Sequence, residues 1–350
     1  MPYQSVGTPR FFVSDIQFAL KKGLTSGNNY DWTATEMTNL GALFDLNPTS
    51  QQTIKASFQH IELPVTNKSI NYVAWLGHNF ASNTVKAYLY DSASNSNVEL
   101  NNGDNGNINH SGSTTDFSQF DGFSFHLFDE YELMGDYVQI TFNPSDEIDY
   151  TESKLGAMAV GKYYEMPHSP DLSLKLSYDY SGIKTIETFG GASLSNAFYT
   201  KPPDWGNFLG AWELDDGHGI NKALSRSGRK IYDLSFSFLD DGDVFGANQS
   251  LAKTTMVTEI ADGTPPASAF DSDDLATGDW GLYFNDNLLS GDNFYSQVIH
   301  KTNGGQLPFI FQPDKNDNTN MIIAKFDSGF KFDQVANGVY NVKLKIREVW

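Results

Sequence analysis

The chain is 350 residues long, with 39% apolar and 14% aromatic residues and a formal net charge of -20 at pH 7. That length is sufficient for two domains that each bury a core. Stable binding to nucleic acid is excluded by the acidic balance, because it requires clustered Lys and Arg. The absence of cysteine likewise excludes disulfides and thiolate metal sites.

Frequent Asn, Asp, Gly and Ser favour strands and turns over long helices, so the predicted fold class is all-β. No stretch approaches the roughly 20 apolar residues of a membrane span. Residues 1–6 lack the basic start and apolar core of a signal peptide, which predicts synthesis in the cytoplasm without export by that route. The negative charge has two interpretations: it keeps the protein soluble, or it lines a conduit that DNA slides past.

The N-terminal residues 1–37 are predicted to form a first strand or an arm that packs on a neighbouring subunit. The apolar part of this segment is residues 10–20, followed by a turn-rich link at residues 23–32.

Residues 38–167 are predicted to form a first β-sandwich domain. The near-continuous apolar run at 70–80 indicates a strand with both faces covered, and the alternating run at 85–91 is expected to pair with it. Residues 95–115 are rich in Asn, Gly and Ser and predict a surface loop. Further strands are predicted at residues 61–64, 137–142 and 155–164.

Two short segments of this domain carry a resemblance. Leu76-Gly77-His78-Asn79 and the run from Leu155 to Gly161 resemble the core strands of the galactose-binding-like (discoidin-type) jelly roll. The resemblance implies an N-terminal jelly roll and leaves sugar binding open, since this fold serves many functions.

Residues 168–350 are predicted to form a second β-sandwich, because the Pro-bracketed step at 166–171 favours a change of chain direction. Residues 172–178 and 230–239 alternate as strands, with Ile231, Leu234, Phe236 and Phe238 largely on one face. Loops are predicted at 188–193 and 201–206. The acidic segment 240–291 is too long for a hairpin and is predicted to be an insertion.

The C-terminal part of the chain is predicted to contain one short helix and three strands. Phe294, Val298 and Lys301 have helical spacing, with Asp292 as the N-cap. Strands are predicted next at 309–311 and 321–326. The closing strand alternates Val342, Leu344, Ile346 and Val349 with basic residues.

The order of these segments resembles the tail-tube domain of tailed-phage distal tail and minor tail (baseplate) proteins. The segments are Leu234-Ser235-Phe236, Pro308-Phe309-Ile310-Phe311-Gln312-Pro313-Asp314 and Gly338-Val339-Tyr340-Asn341-Val342-Lys343-Leu344. The resemblance implies a tail-tube-like sandwich that closes into a ring of six copies. It also implies other tail or baseplate proteins as partners and, through the jelly roll, a host glycan.

The candidate site residues all have a structural alternative that the sequence favours. His78 and Asn79 end the apolar strand, where hydrogen bonding of a turn is the simpler role. The segment 314–320 starts like a calcium loop but lacks its glycine and glutamate, so a polar turn is predicted. Weak calcium sites are the alternative to solvated loops at Asp240, Asp241 and Asp243 and at Asp271, Asp273 and Asp274. Sugar stacking is the alternative to burial for Tyr30, Trp32 and Trp205.

No enzyme motif is present, and the remaining histidines have no zinc-binding spacing. We therefore expect no catalytic, cofactor or metal residues. The predicted function is that of a structural virion component made in the host cytoplasm, a distal tail or baseplate-type ring protein. The alternatives are a carbohydrate-binding or receptor-binding tail appendage, a capsid-decorating protein and a β-sandwich glycoside hydrolase, whose paired carboxylates a sequence cannot exclude.

Overall fold

The computed structural model describes residues 6–22, 43–46, 52–53, 59–64, 69–76, 85–91, 96–99, 123–132, 137–144, 154–172, 174–179, 183–197, 229–245, 291–317, 320–327 and 329–349. Over these residues the chain is mostly β-sheet with a few short helices, as predicted for an all-β protein.

Nineteen strands and three short helices make up the described part of the chain. In chain order they are β1 Arg10–Phe12, α1 Asp15–Lys22, β2 Gln52–Thr53, β3 Gln59–Pro64, β4 Ser69–Leu76, β5 Val85–Asp91, β6 Ser96–Glu99, β7 Phe123–Glu132, β8 Tyr137–Pro144, β9 Lys154–Leu155, β10 Ala157–Gly161, β11 Tyr163–Glu165, β12 Lys175–Asp179, β13 Ile183–Glu187, β14 Ser193–Ala197, β15 Arg229–Asp240, α2 Asp241–Val244, the π-helix Tyr295–His300, β16 Phe309–Gln312, β17 Ile322–Phe326, β18 Lys331–Ala336 and β19 Val339–Glu348.

The largest sheet has eight strands in the order β11–β1–β16–β17–β19–β15–β12, and β18 also pairs with β19. All its pairs are antiparallel. The N-terminal strand β1 lies inside this sheet, with Phe11 opposite Tyr164 of β11 on one side and Phe311 of β16 on the other. The first strand therefore joins a strand from the middle of the chain to strands from its C-terminal end.

The closing strand was predicted correctly because its pattern has a period of two. In β19 the side chains of Tyr340, Val342, Leu344 and Ile346 are buried, and the intervening Lys343 is exposed. Burial of one face of a strand is what such alternation indicates. Burial continues with the same period to Glu348, whose carboxylate accepts a hydrogen bond from the backbone N–H of Lys230 at 2.8 Å. Val349, which was predicted on the buried face, is half-buried.

The N-terminal prediction is correct for the first strand and wrong for the residues after it. Only residues 10–12 are extended, and residues 15–22 form α1. Ser14 Oγ lies 3.4 Å from the backbone N of Gln17, so the helix begins with the Ser-x-x-Gln arrangement of a capping box. The Ser14-x-x-Gln17 pattern is visible in the sequence. It indicates the start of a helix more strongly than the apolar run indicates a strand.

The described strands from β2 to β10 form three further antiparallel sheets, with the orders β10–β4–β7, β3–β8–β5–β6 and β2–β9. The predicted pairing of 85–91 with 70–80 is wrong, since β5 pairs with β6 and β8. Part of the predicted loop 95–115 is strand β6, and strand β7 was not predicted. Alternation identifies a strand but not its partner, because consecutive strands can belong to different sheets.

Two details of the second half also differ from prediction. Phe238 is 77% exposed, because a bulge between Phe236 and Leu239 shifts the register and gives Phe238 a φ of 64°. The first turn of the helix at 294–300 is capped by Asn293, whose Oδ1 accepts a bond from Ser296 N at 2.9 Å. Asp292, the predicted N-cap, instead pairs with Lys162 at 2.6 Å.

Both faces of β1 are covered by aromatic side chains. The ring of Phe11 lies 5.5 Å from Phe294 and 5.1 Å from Phe311. The ring of Phe12 lies 5.1 Å from Tyr72 and 5.2 Å from Phe125. One buried cluster thus contains residues from both sides of position 167, the predicted domain boundary. The predicted domain limits stay a prediction. None of the helices in the described ranges is long and apolar enough to span a membrane.

Gly161 of β10 lies in close contact with the backbone at the start of α1. A Cβ added there would lie 2.8 Å from the carbonyl oxygen of Val13 and 3.3 Å from Asp15 Cγ. We expect Gly161→Ala to lower the free energy of unfolding by about 1–3 kcal/mol, because backbone must shift to admit the methyl group. Urea denaturation measures this.

The matched control is Gly190→Ala, where an added Cβ meets nothing within 4 Å. It should leave stability within about 0.5 kcal/mol of the starting protein. Equal effects of the two substitutions would contradict the tight contact at Gly161.

Candidate functional site

Most of the candidate site residues predicted from the sequence lie outside the described residues. They are His78, Asn79, Tyr30, Trp32, Trp205, Asp271, Asp273 and Asp274; His110 and His218, which have no zinc-binding spacing, also lie outside. His60 and His126 lie in strands β3 and β7.

The two histidines whose side chains are described lie against aromatic rings. His168 lies 6.0 Å from the ring of Phe236, with Nδ1 2.8 Å from the carbonyl oxygen of Ser169. His300 lies 5.3 Å from Phe18. Across the described ranges no three His, Asp or Glu side chains are grouped so that they could hold a metal ion.

The calcium-loop candidate begins in the connection between the antiparallel strands β16 and β17. Asp314 Oδ1 accepts a bond from the backbone N–H of Asn316 at 2.8 Å, and Lys315 N–H donates to the carbonyl of Thr8 at 3.0 Å. A Cβ on Gly7 would lie 2.1 Å from Asp314 Oδ1. The Asp314 carboxylate therefore shapes a turn that packs against the N-terminal segment.

The acidic residues at the end of β15 are partly built into the fold. Asp241 is buried, and its backbone N–H donates to the carbonyl of Gly338 at 2.8 Å. The carbonyl of Asp243 accepts a bond from the Tyr164 hydroxyl at 2.9 Å. Burial and the nearby charge of Asp240 raise the pKa of the Asp243 carboxyl. These contacts join α2 to β11 and to the β18–β19 turn.

A polar cluster around Glu165 fastens the N-terminal segment at the surface. The Glu165 carboxylate accepts bonds from Thr8 Oγ1 at 2.5 Å, Arg10 Nε at 2.8 Å and Lys315 Nζ at 2.6 Å. Burial raises the pKa of Glu165, but the hydrogen bonds from Lys315, Thr8 and Arg10 outweigh it, so that the pKa is lowered overall. The cluster therefore favours the ionised carboxylate.

A second charged contact is fully buried. Lys301 Nζ lies 2.6 Å from Asp15 Oδ1, with side-chain exposures of 0% and 1%, and donates to Gln297 Oε1 at 2.8 Å. Burial raises the pKa of the Asp15 carboxyl against the opposing effect of Lys301. The pair connects α1 with the end of the π-helix, directly beside the aromatic cluster on β1.

Exposed apolar side chains lie at the β12 end of the large sheet. Within the described part of the chain, β12 pairs only with β15, so its other edge leaves backbone N–H and C=O groups available for another strand. Leu176 and Tyr178 are 46% and 50% exposed. We call β12, Lys175–Asp179, the open edge.

The register shows which face of the sheet these side chains occupy. Leu176 lies opposite Tyr232, and directly opposed residues of an antiparallel pair share a face. Tyr232 is buried on that face together with Leu234 and Phe236. Leu176 and Tyr178 therefore continue the core face of the sheet beyond the core itself, which suits a surface that another chain covers.

The connection into the open edge is held in place by hydrogen bonds to β15. The backbone N–H of Asp171 donates to the carbonyl of Ser235 at 2.8 Å, and Ser237 Oγ donates to Asp171 Oδ2 at 2.8 Å. Arg347 pairs with Asp179 at the other end of the strand. The open edge is thus a fixed strand that presents apolar side chains.

No protein-family model, curated protein or solved structure gives a significant match to this chain. The arguments for function consequently rest on the geometry described above and on the sequence resemblances.

The sequence predicted the strand of the open edge but not its exposure. Alternation at Leu174, Leu176 and Tyr178 identified a half-buried strand. The exposed apolar residues were not recognised because exposure at an edge depends on which strands lie alongside. The buried Lys301 was recognised only as one position of the helical spacing, and its partner, Asp15, is distant in sequence.

The Glu165 cluster predicts a defined dependence of stability on pH. The folded-state pKa of Glu165 is lowered from its ordinary value of 4.5, so the stabilisation is present above about pH 4.5 and is lost as the pH falls through the folded-state pKa. We expect Glu165→Gln to cost about 1 kcal/mol or less at pH 7, since solvent screens the cluster, and progressively less below pH 4.5. Urea denaturation across this pH range measures the difference.

The control is Glu187→Gln, on the exposed end of β13, which should leave the pH dependence unchanged. A constant destabilisation by Glu165→Gln at all pH values would contradict an electrostatic role for the cluster.

The Lys301–Asp15 and Lys162–Asp292 pairs have the same N–O distance of 2.6 Å. Breaking them is expected to lower the free energy of unfolding by different amounts. Lys301→Met should lower the free energy of unfolding by about 3–5 kcal/mol, because it leaves the Asp15 carboxylate buried without its counterion. Lys162→Met should cost about 1 kcal/mol or less, because Asp292 is 72% exposed and is hydrated when unpaired. Thermal and chemical denaturation compare the two variants, and similar losses would refute the importance of burial.

Proposed function

We propose that this protein is a structural component of a tailed-phage virion, a distal tail or baseplate-type protein that assembles with copies of itself through the open edge. It is made in the host cytoplasm and has no catalytic role. Its further partners are other tail or baseplate proteins, and the N-terminal sheets face the host or hold fibres. The assignment to a phage tail rests on the sequence resemblance, and the mode of assembly rests on the geometry of the sheet.

The observation that carries the proposal is the uncovered core face at β12. A strand of another copy added there extends the sheet, satisfies the edge N–H and C=O groups and covers Leu176 and Tyr178. An edge of this kind is normally short, charged or protected in a monomeric protein. Here β12 has 5 residues and carries Lys175 and Asp179, but its core face also presents the exposed Leu176 and Tyr178, which favours a partner.

A ring requires that the open edge contact a different surface on the next copy. Edge-to-edge pairing of two open edges would close as a two-fold dimer, whereas a contact between unlike surfaces can continue around a ring. Phe189 supplies such a second surface, because it is fully exposed at the tip of the β13–β14 hairpin. We therefore expect the hairpin of one copy to contact the open edge of the next.

The test is the oligomeric state of the purified chain. We expect light scattering after gel filtration to detect oligomers, which electron microscopy shows as rings. Association should strengthen with salt, since screening reduces repulsion between copies of net charge -20. A strict monomer at micromolar concentration in low and high salt would count against the proposal, and glycan binding by such a monomer would favour the carbohydrate-binding alternative.

Substitutions locate the contact. Leu176→Lys combined with Tyr178→Lys should weaken association at least about tenfold, because two charges would be placed in the contact at a cost of more than about 1.4 kcal/mol. Val335→Lys is the matched control, since Val335 is 49% exposed on β18, away from β12. Equal weakening by both variants would exclude the open edge as the specific contact.

A further inference from the structure

We propose that Asp15 and Lys301 are a site of covalent self-modification, at which the two side chains condense to an intramolecular amide bond. The evidence is their placement: Lys301 Nζ lies 2.6 Å from Asp15 Oδ1, and neither side chain is reached by solvent. The carboxyl carbon that Nζ must attack is one bond beyond that oxygen. This inference is independent of the proposed function.

The reaction needs no co-reactant. As the pair reacts, one ammonium proton passes to a carboxylate oxygen, which leaves a lone pair on Nζ and a C–OH bond on Asp15. The Lys301 Nζ lone pair then attacks Asp15 Cγ and forms a C–N bond. The C–OH bond breaks, and one water leaves with the hydroxyl group and one amine hydrogen. No atom is oxidised or reduced.

The surroundings hold the reacting atoms in place. Gln297 Oε1 accepts a bond from Nζ at 2.8 Å, which fixes the amine. Gly161 lies directly against Asp15, since a Cβ there would be 3.3 Å from Asp15 Cγ. Such fixed proximity replaces an encounter in solution and is the largest contribution that positioning makes to a condensation.

Asp15 and its neighbour Tyr72 retain hydrogen-bonding capacity that the pair leaves unused. Asp15 Oδ2 and the Tyr72 hydroxyl are buried and have no hydrogen-bond partner among the described residues. Burial and the charge of Asp15 raise the pKa of Tyr72, so the hydroxyl stays protonated. The two groups do not hydrogen-bond to each other, so Tyr72 is a buried proton donor close to the pair that would act on the departing hydroxyl group after a small movement.

The chain provides an internal comparison that isolates burial. Lys162 Nζ lies at the same 2.6 Å from Asp292 Oδ1, but the Asp292 side chain is 72% exposed. Water reaches the Asp292 carboxylate there and screens the pair. The buried pair condenses, and the exposed pair remains an ion pair.

The bond joins a residue near the start of the chain to one near its end, so it closes a loop that includes the four smaller sheets. Cross-links of this kind stabilise the folded state by restricting the unfolded chain. Disulfides cannot do so here because the sequence has no cysteine.

The experiment is intact-mass measurement of the denatured full-length protein, followed by protease digestion and peptide sequencing by mass spectrometry. We expect a mass lower than that of the sequence by one water, and a branched peptide that links the segments containing Asp15 and Lys301. Peptides containing Lys162 and Asp292 should be linear. An unmodified mass for protein shown to be folded by circular dichroism overturns the proposal.

Two variants establish the site and the role of Tyr72. Lys301→Arg keeps the positive charge but should restore the full sequence mass; a persistent loss of water in that variant would assign the dehydration to another site and overturn the proposal. Tyr72→Phe should slow condensation, so that uncondensed protein is detectable after refolding. An unchanged rate of condensation in Tyr72→Phe would show that Tyr72 takes no part in the reaction. Whether the cross-link forms at all is decided by the mass of the unsubstituted protein.

Discussion

The buried contact between Asp15 and Lys301 fixes how the two ends of the chain meet. Asp15 lies three residues beyond the end of β1, and β1 is the strand that joins β11 to β16 within the large sheet. Removing two charges from water is costly, so the contact is tolerated only where the pairing geometry is well defined. The aromatic rings on both faces of β1 supply apolar area, whereas the ion pair supplies the register. Docking of the N-terminal segment thus combines a buried polar contact beside an apolar cluster with the surface contacts of Thr8 and Arg10 to Glu165.

The sequence predicted the elements of this sheet better than their arrangement. The alternation in β19 and the apolar runs of β16 and β17 are local patterns, and a strand with one buried face must carry them. The insertion of β1 between β11 and β16 depends on contacts between residues far apart in sequence, such as Phe11 with Phe311. The same limit explains why 85–91 was assigned the wrong partner. A local pattern carries no information on which strand lies alongside.

The candidate site shows the same division. Leu176 and Tyr178 were recognised as members of an alternating strand, but only the register with Tyr232 shows that they continue the core face at a sheet edge. The pairing of Asp15 with Lys301 is another long-range property, although the Ser14–Gln17 capping pattern could have placed Asp15 in the first turn of a helix. The helical spacing of Phe294, Val298 and Lys301 placed the lysine on the apolar side of its helix without explaining why a charge belongs there.

The two ends of the large sheet are not equivalent, and this decides where another chain can add. At the β11 end, the backbone N–H of Tyr163 donates to Asn71 Oδ1 at 2.8 Å, so the neighbouring strand β4 of the same chain already contacts that end. At the β12 end the described residues provide no such neighbour. Within the described residues the β12 end is therefore one place where a strand can add; β18, which pairs only with β19, is another. Such an edge can form a pair with itself or contact a different surface. An extended assembly requires the second arrangement, which makes the surface that meets β12 the property that separates a dimer from a ring.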